Sequence, residues 1–238
     1  MPYIKETVIA GKTIEVCKHF SSRYNKKGIP RSANIKPTAE AMKKVNDRNA
    51  ENKLRRLINA NFGYMDIHLV LTYKRKLRPE PDKAKQDLAK FLRKMRALYK
   101  KHGKELKYIT VTEYKNRAIH HHLIINSIDM REVVPLWEFG RARPTYLDDT
   151  GQYGQLASYL IKETAKTYKT EKSAAGKRWN SSKNLEPPDI KIEIIKAESW
   201  REDPKPIKGY YIEKESIRSG IHEISGYMFQ QYCMIRLE

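Results

Sequence analysis

Cysteine is scarce in this chain: Cys17 and Cys233 stand near opposite ends of 238 residues. They form no CxxC pair, which excludes a cysteine zinc site and fits a reduced, cytoplasmic protein. Long apolar runs are missing too. Nothing approaches the ~18 consecutive apolar residues of a membrane span. The N-terminus MPYIKETVIAGK has no apolar stretch after a basic start, so no signal peptide is expected. No internal repeat is visible. Acidic residues are in short supply, with Asp+Glu at 28 against Lys+Arg at 48, for a net charge of +20. A solvated surface of a small domain usually stays within about eight charges of neutral. The excess therefore points to a polyanionic partner. Fifteen tyrosines lie among the cations, and that mixture suits nucleic acid: cations track phosphates while rings stack on unpaired bases.

Hydrophobic residues make up 39% of the chain, enough for a sizeable core. YIKETVIA and TIEVCKHF are β-rich on either side of Gly11-Lys12, which predicts an N-terminal hairpin. A basic loop follows, then a charged helix from a Thr38 cap to about residue 60. YMDIHLVLTY (64–73) reads as a buried strand. Asp82 is the expected cap of a helix reaching residue 101, with Leu88, Phe91, Leu92, Met95 and Leu98 at helical spacing. ELKYITVTEY (105–114) and AIHHHLIIN (118–126) form an antiparallel hairpin. A short helix ending at Gly140 comes next, and then an edge strand around Pro144. A helix over 150–169 with Thr150 as cap, a loop, and a strand over 190–197 complete the pattern. The order from residue 64 is β-α-β-β-α-β-α-β. It implies an α+β fold, a central antiparallel sheet with flanking helices, of RRM or ferredoxin-like type. The expected divisions are a basic N-terminal extension (1–62), the α+β domain (63–198) and a C-terminal arm (199–238) that adds a strand.

Three consecutive histidines begin the strand 118–126. Side chains alternate across a strand, so His120 and His122 share one face while His121 points to the other with Ile119, Leu123 and Ile125. His121 is expected as a buried neutral histidine. If the hairpin turns on Asn116-Arg117, Glu113 pairs with His120 and stands on the same face, about 5 Å away. Two imidazoles and a carboxylate leave coordination positions open for a substrate oxygen. A metal bound there needs an attacking group, and a tyrosine suits reversible nicking because its phosphoester conserves the bond energy. Tyr24, Tyr73, Tyr159 and Tyr211 are each followed by a lysine three residues later. Only Tyr159 lies on an amphipathic helix downstream of the histidine hairpin, where Lys162 and Lys166 continue its face.

HLVLTY, TEYKNRAIHHHLIIN and SYLIKE, in this order, resemble the three motifs of HUH endonucleases. They are most similar to the rolling-circle replication initiators of plasmids and phages, including the filamentous-phage gene II type. The resemblance spans roughly residues 64–190 and includes the loop KRWNSSKNLEPP. It departs at His121, where the family prefers an apolar or aromatic residue, and at Ala118, where glycine is common. It implies Glu113, His120 and His122 as ligands of Mg²⁺ or Mn²⁺. Tyr159 is then the nucleophile and Lys162 its helper, and nicking and joining proceed through a tyrosine–5′-phosphate link. The implied partners are single-stranded or hairpin origin DNA and a host helicase, since no GxxxxGK occurs in the chain. The expected DNA contacts are Arg23, Lys26, Lys27 and Arg31 in the first basic loop, Lys115 and Arg117 in the metal hairpin, and Lys166. A relaxase or single-strand transposase shares this chemistry. A non-catalytic RRM-like nucleic-acid binder and a structural zinc module are the readings from other classes.

Overall fold

The computed structural model describes residues 2–21, 38–114, 118–165, 177–222 and 225–237. The chain forms two compact units, one from 1–49 with 187–238 and the other from 50–186. The N-terminal hairpin is present as β1 (Tyr3–Ala10) and β2 (Thr13–His19). Its pairing closes at Ala10 opposite Thr13. Gly11 takes φ 57°, the left-handed conformation that glycine enters without a Cβ penalty. Helix α1 (Ala39–Asn61) starts as the sequence implies: the Thr38 hydroxyl oxygen accepts from the Ala41 N–H at 3.1 Å. The boundary between the units falls within this helix.

The second unit holds β3 (Ile67–Tyr73), α2 (Pro81–Lys101), β4 (Tyr108–Glu113), β5 (His120–Ile125), the short α3 (Met130–Val133), β6 (Gly140–Tyr146), α4 (Gly154–Ala165) and the two-residue β7 (Asn180–Ser181). Its sheet runs β6-β3-β5-β4-β7, antiparallel throughout. Numbered within the unit, the first four strands lie in the order 4-1-3-2, the split β-α-β arrangement of ferredoxin-like folds. The α+β class read from the sequence therefore holds. β6 is the edge strand that Pro144 requires.

One face of this sheet is dry. Ile67, Leu69, Leu71, Leu123 and Ile125 pack there against Phe91, Met95 and Tyr99 of α2 and against Trp137. Ile109, Val111 and Ile124 face the other way, towards Leu54 and Ile58 of α1, Phe62 just after it, and Ala157, Leu160 and Ile161 of α4. Gly140 opens β6 hard against β3: a Cβ at this position would lie 1.9 Å from the Thr72 carbonyl oxygen.

Several boundaries depart from the sequence reading. Helix α2 begins at Pro81, not Asp82, with Glu80 as an N-cap whose side chain makes no capping bond; proline's fixed φ suits the first helical position. Thr150 does not cap α4. Its hydroxyl takes the Gln152 N–H at 3.2 Å in a local turn, and the helix starts four residues later. The helix expected to reach Gly140 is one turn of α3 and a 3₁₀ turn over Val134–Leu136.

The first unit has its own sheet. Strand β8 (Asp189–Ile195), expected within the α+β domain of 63–198, pairs instead with β1 of the first unit. Residues 199–238 contribute β9 (Tyr210–Ile212), β10 (Arg218–Ile221) and β11 (Met228–Arg236). β11 is central, lying between β10 and β2, and β9 pairs with it as well. Ile14, Val16, Tyr232 and Met234 form the core of this sheet. No helix among the described residues is long and apolar enough to cross a membrane.

Candidate active site

The histidine hairpin has the register that a two-residue turn demands. Glu113 pairs with His120, and Val111 with His122. Paired residues project from one face, so Glu113, His120 and His122 converge on the α4 side of the sheet. One ligand atom from each lies within 4.8 Å of the others, a group able to hold a metal ion. Glu113 and His122 are buried and His120 is half-buried.

The donor chemistry of this group fits a cation. His120 Nδ1 lies 2.9 Å from the Ala118 carbonyl oxygen, which can only accept, so Nδ1 carries the hydrogen. The other nitrogen, Nε2, then faces a Glu113 carboxylate oxygen at 3.0 Å. A lone pair and a carboxylate meeting at this distance require a positive charge between them, a proton or a metal. Holding one imidazole nitrogen by a carbonyl fixes the tautomer and aims the other nitrogen at a metal.

His68 on β3 extends the group, and the sequence reading did not single it out. Its Nε2 lies 3.1 Å from His122 Nδ1, with the two rings stacked and their centroids 5.3 Å apart. Burial pushes the His68 pKa down to about 4, so this imidazole is neutral at physiological pH. One of the two facing nitrogens donates and the other accepts. When His122 Nδ1–H donates, the lone pair of His122 Nε2 is left for a metal.

His121 occupies the opposite, packed face, fully buried against Tyr73 and Trp137. Tyr73 hydrogen-bonds the Asp87 carboxylate, which only accepts, so the Tyr73 hydroxyl donates there and accepts from His121 Nε2–H at 3.1 Å. His121 Nδ1 then accepts from Thr112 Oγ1 at 2.8 Å. Both ring nitrogens are satisfied in a neutral tautomer, and burial pushes the His121 pKa down to about 3. This is the neutral core histidine expected from strand alternation.

The tyrosines sort by environment. The Tyr159 ring stands edge-on to His122 with centroids 5.4 Å apart, and it is 41% exposed. Lys162, one turn further along α4, is exposed as well. Tyr153 precedes the helix and is buried against the α1 side of the core. Its hydroxyl donates to the Asp148 carbonyl at 2.8 Å, and burial pushes its pKa up to about 12. Tyr73 is buried and Tyr211 lies in the first unit's sheet. Tyr24 lies outside the described residues, as do all seven expected DNA contacts: Arg23, Lys26, Lys27, Arg31, Lys115, Arg117 and Lys166.

A ferredoxin-like antiparallel sheet carrying a histidine–glutamate group able to hold a metal ion, with a tyrosine-bearing helix beside it, defines the α+β domain of this chain. Residues 66–168, a segment that holds β3 through α4, match the family model described as Replication-associated protein ORF2/G2P. Every residue of the site described above lies within that segment. The match agrees with the resemblance to rolling-circle initiators. No curated protein and no solved structure gives a match.

Proposed function

We propose that this chain is a site-specific DNA nickase and joining enzyme that initiates rolling-circle replication of a plasmid or phage. The reading rests on one juxtaposition: the Tyr159 ring lies beside His122, on the face where Glu113, His120 and His122 converge. Those three residues would hold Mg²⁺ or Mn²⁺, and a divalent ion there supplies Lewis-acid polarisation of the scissile phosphate. Tyr159 Oη attacks the phosphorus and loses its phenolic proton. The P–O3′ bond breaks, and the departing 3′-oxygen takes up a proton. The 5′-phosphate stays esterified to Tyr159, and the freed 3′-OH primes synthesis. Attack by a later 3′-OH on the phosphotyrosine reverses the step and closes the strand. The Lys162 ammonium, on the same helix face, offsets phosphate charge beside the phenol. Positioning and charge neutralisation supply most of the rate in phosphoryl transfer. A host helicase would separate the strands.

The match to a replication-associated family favours this over a relaxase or a single-strand transposase, which would form the same adduct. An RRM-like binder would stack bases on exposed aromatics of its sheet. Here the half-buried residues of β3 on the site face are His68, Val70 and Thr72, with no Phe, Tyr or Trp. Incubation with labelled single-stranded DNA and Mn²⁺ tests the proposal. A covalent adduct resistant to denaturation and located on the Tyr159 peptide is expected. Persistent absence of an adduct across origin-derived substrates would sink it.

A further inference from the structure

Edge strand β6 lies on the other side of β3 from the histidines, and the register lines its side chains up with theirs. Arg141 pairs with Thr72, Thr72 with His120, and His120 with Glu113, one row across four strands. Arg143 pairs with Val70, and Val70 with His122. Paired residues share a face, so both arginines project from the surface that carries the histidine–glutamate group. The opposite surface takes Ala142, which packs with the dry core.

Both arginines are exposed, and neither guanidinium meets a carboxylate among the described residues. Strands lie about 4.8 Å apart, so their Cα atoms stand about 10 Å from those of His120 and His122. The intervening β3 residues Val70 and Thr72 are half-buried, while α4 packs on β4, beyond the histidines as seen from β6, and its Tyr159 ring lies beside His122. The register thus puts two exposed guanidinium groups on the β6 side of the histidines, on the same sheet face as the Tyr159 ring. Arg141 and Arg143 are two residues apart, about 6.7 Å along the strand. That is the scale of one nucleotide step in an extended strand.

We infer that Arg141 and Arg143 form a phosphate-binding bank that holds the single-stranded DNA next to the scissile phosphate. The inference builds on the nickase reading and names where the strand lies. A guanidinium group matches phosphate oxygens, so the bank grips the backbone and fixes the strand's position without reading its bases. Net charge spread over the surface would attract DNA anywhere. These two cations differ because the register puts them in the same rows as the proposed metal ligands.

The test uses the full chain, a fluorescent mixed-sequence single-stranded 20-mer, and anisotropy titrations over a range of NaCl concentrations in EDTA. Each lost phosphate contact lowers the salt slope by about 0.7 for single strands, so Arg141→Ala with Arg143→Ala should lower it by about 1.4. At 0.1 M salt this corresponds to about 25-fold weaker binding. Arg141→Lys with Arg143→Lys should restore most of the slope, since a point charge still meets a phosphate. Lys205→Ala with Lys208→Ala removes the same charge from exposed positions in the other unit and should change little. An unchanged slope in the arginine variant overturns the inference. An equal loss in the lysine control also overturns it, because net charge alone would then explain binding. Wild-type protein that binds no single-stranded DNA would overturn the nickase reading itself, a result distinct from either.

Discussion

Acidification should weaken the fold through His121, and the size of the effect can be worked out. An unfolded histidine takes up a proton near pH 6.5. In the folded protein His121 is wholly buried, with its two nitrogens engaged by Tyr73 and Thr112, and its pKa is down at about 3. Between those values the unfolded state binds the proton and the folded state does not. Stability is therefore fully present above about pH 6.5 and falls as the pH drops towards 3. At pH 5 the loss from this residue is about 2 kcal/mol, against almost nothing at pH 7.5. His121→Phe removes the titration. It also crowds the core and removes one partner each from Tyr73 and Thr112, so it should cost about 1–3 kcal/mol at neutral pH. The gap between wild type and variant should then shrink by about 2 kcal/mol from pH 7.5 to pH 5. Urea unfolding followed by tryptophan fluorescence measures it, because Trp137 lies edge-on to His121 with centroids 5.9 Å apart. A gap that stays constant over this pH range would refute the reasoning.

His120→Ala and His122→Ala should each abolish metal-dependent nicking, whereas His121→Phe keeps most of it; a gel-based nicking assay with the opposite pattern would reverse the face assignment. Tyr159→Phe should keep folding and DNA binding but lose the covalent adduct, and Tyr153→Phe should keep the adduct with a lower melting temperature, since Tyr153 loses its bond to Asp148. Adduct mapping by mass spectrometry decides between these two tyrosines. Lys162→Ala should slow adduct formation without abolishing it in a single-turnover time course. His68→Leu should weaken Mn²⁺ binding by about 10–100-fold, the usual cost of losing a group that orients a ligand. Calorimetry reads this without catalysis, and unchanged affinity would mean that His68 only fills space.

Much of the site was legible before folding was considered, because it is local. Strand alternation separates His121 from His120 and His122 over three residues. A hairpin with a short link pairs Glu113 with His120, only seven residues apart, and the observed register is the expected one. Of the four tyrosines followed by a lysine at helical spacing, the amphipathic pattern around it picks out Tyr159, with Lys162 one turn on. The N-terminal hairpin and the α+β class follow from equally short-range signals.

What escaped the sequence reading depends on partners far along the chain. His68 reaches His122 only because β3 pairs with β5 across more than fifty residues. Arg141 and Arg143 sit in an exposed stretch with no motif, and they acquire meaning only from the register of β6 on β3. Strand β8 carries Ile190, Ile192 and Ile194, all exposed, an alternation that reports a strand but not its neighbour. It pairs with β1, from the other end of the chain, and β11 takes the centre of that sheet. The sequence by itself determined the hairpin, the alternation of its faces and the candidate nucleophile, since each follows from backbone geometry over a few residues. The tertiary structure decided which strands flank that hairpin, and so which second histidine and which cations share its face, because strand pairing is selected by packing across long loops rather than by local preference.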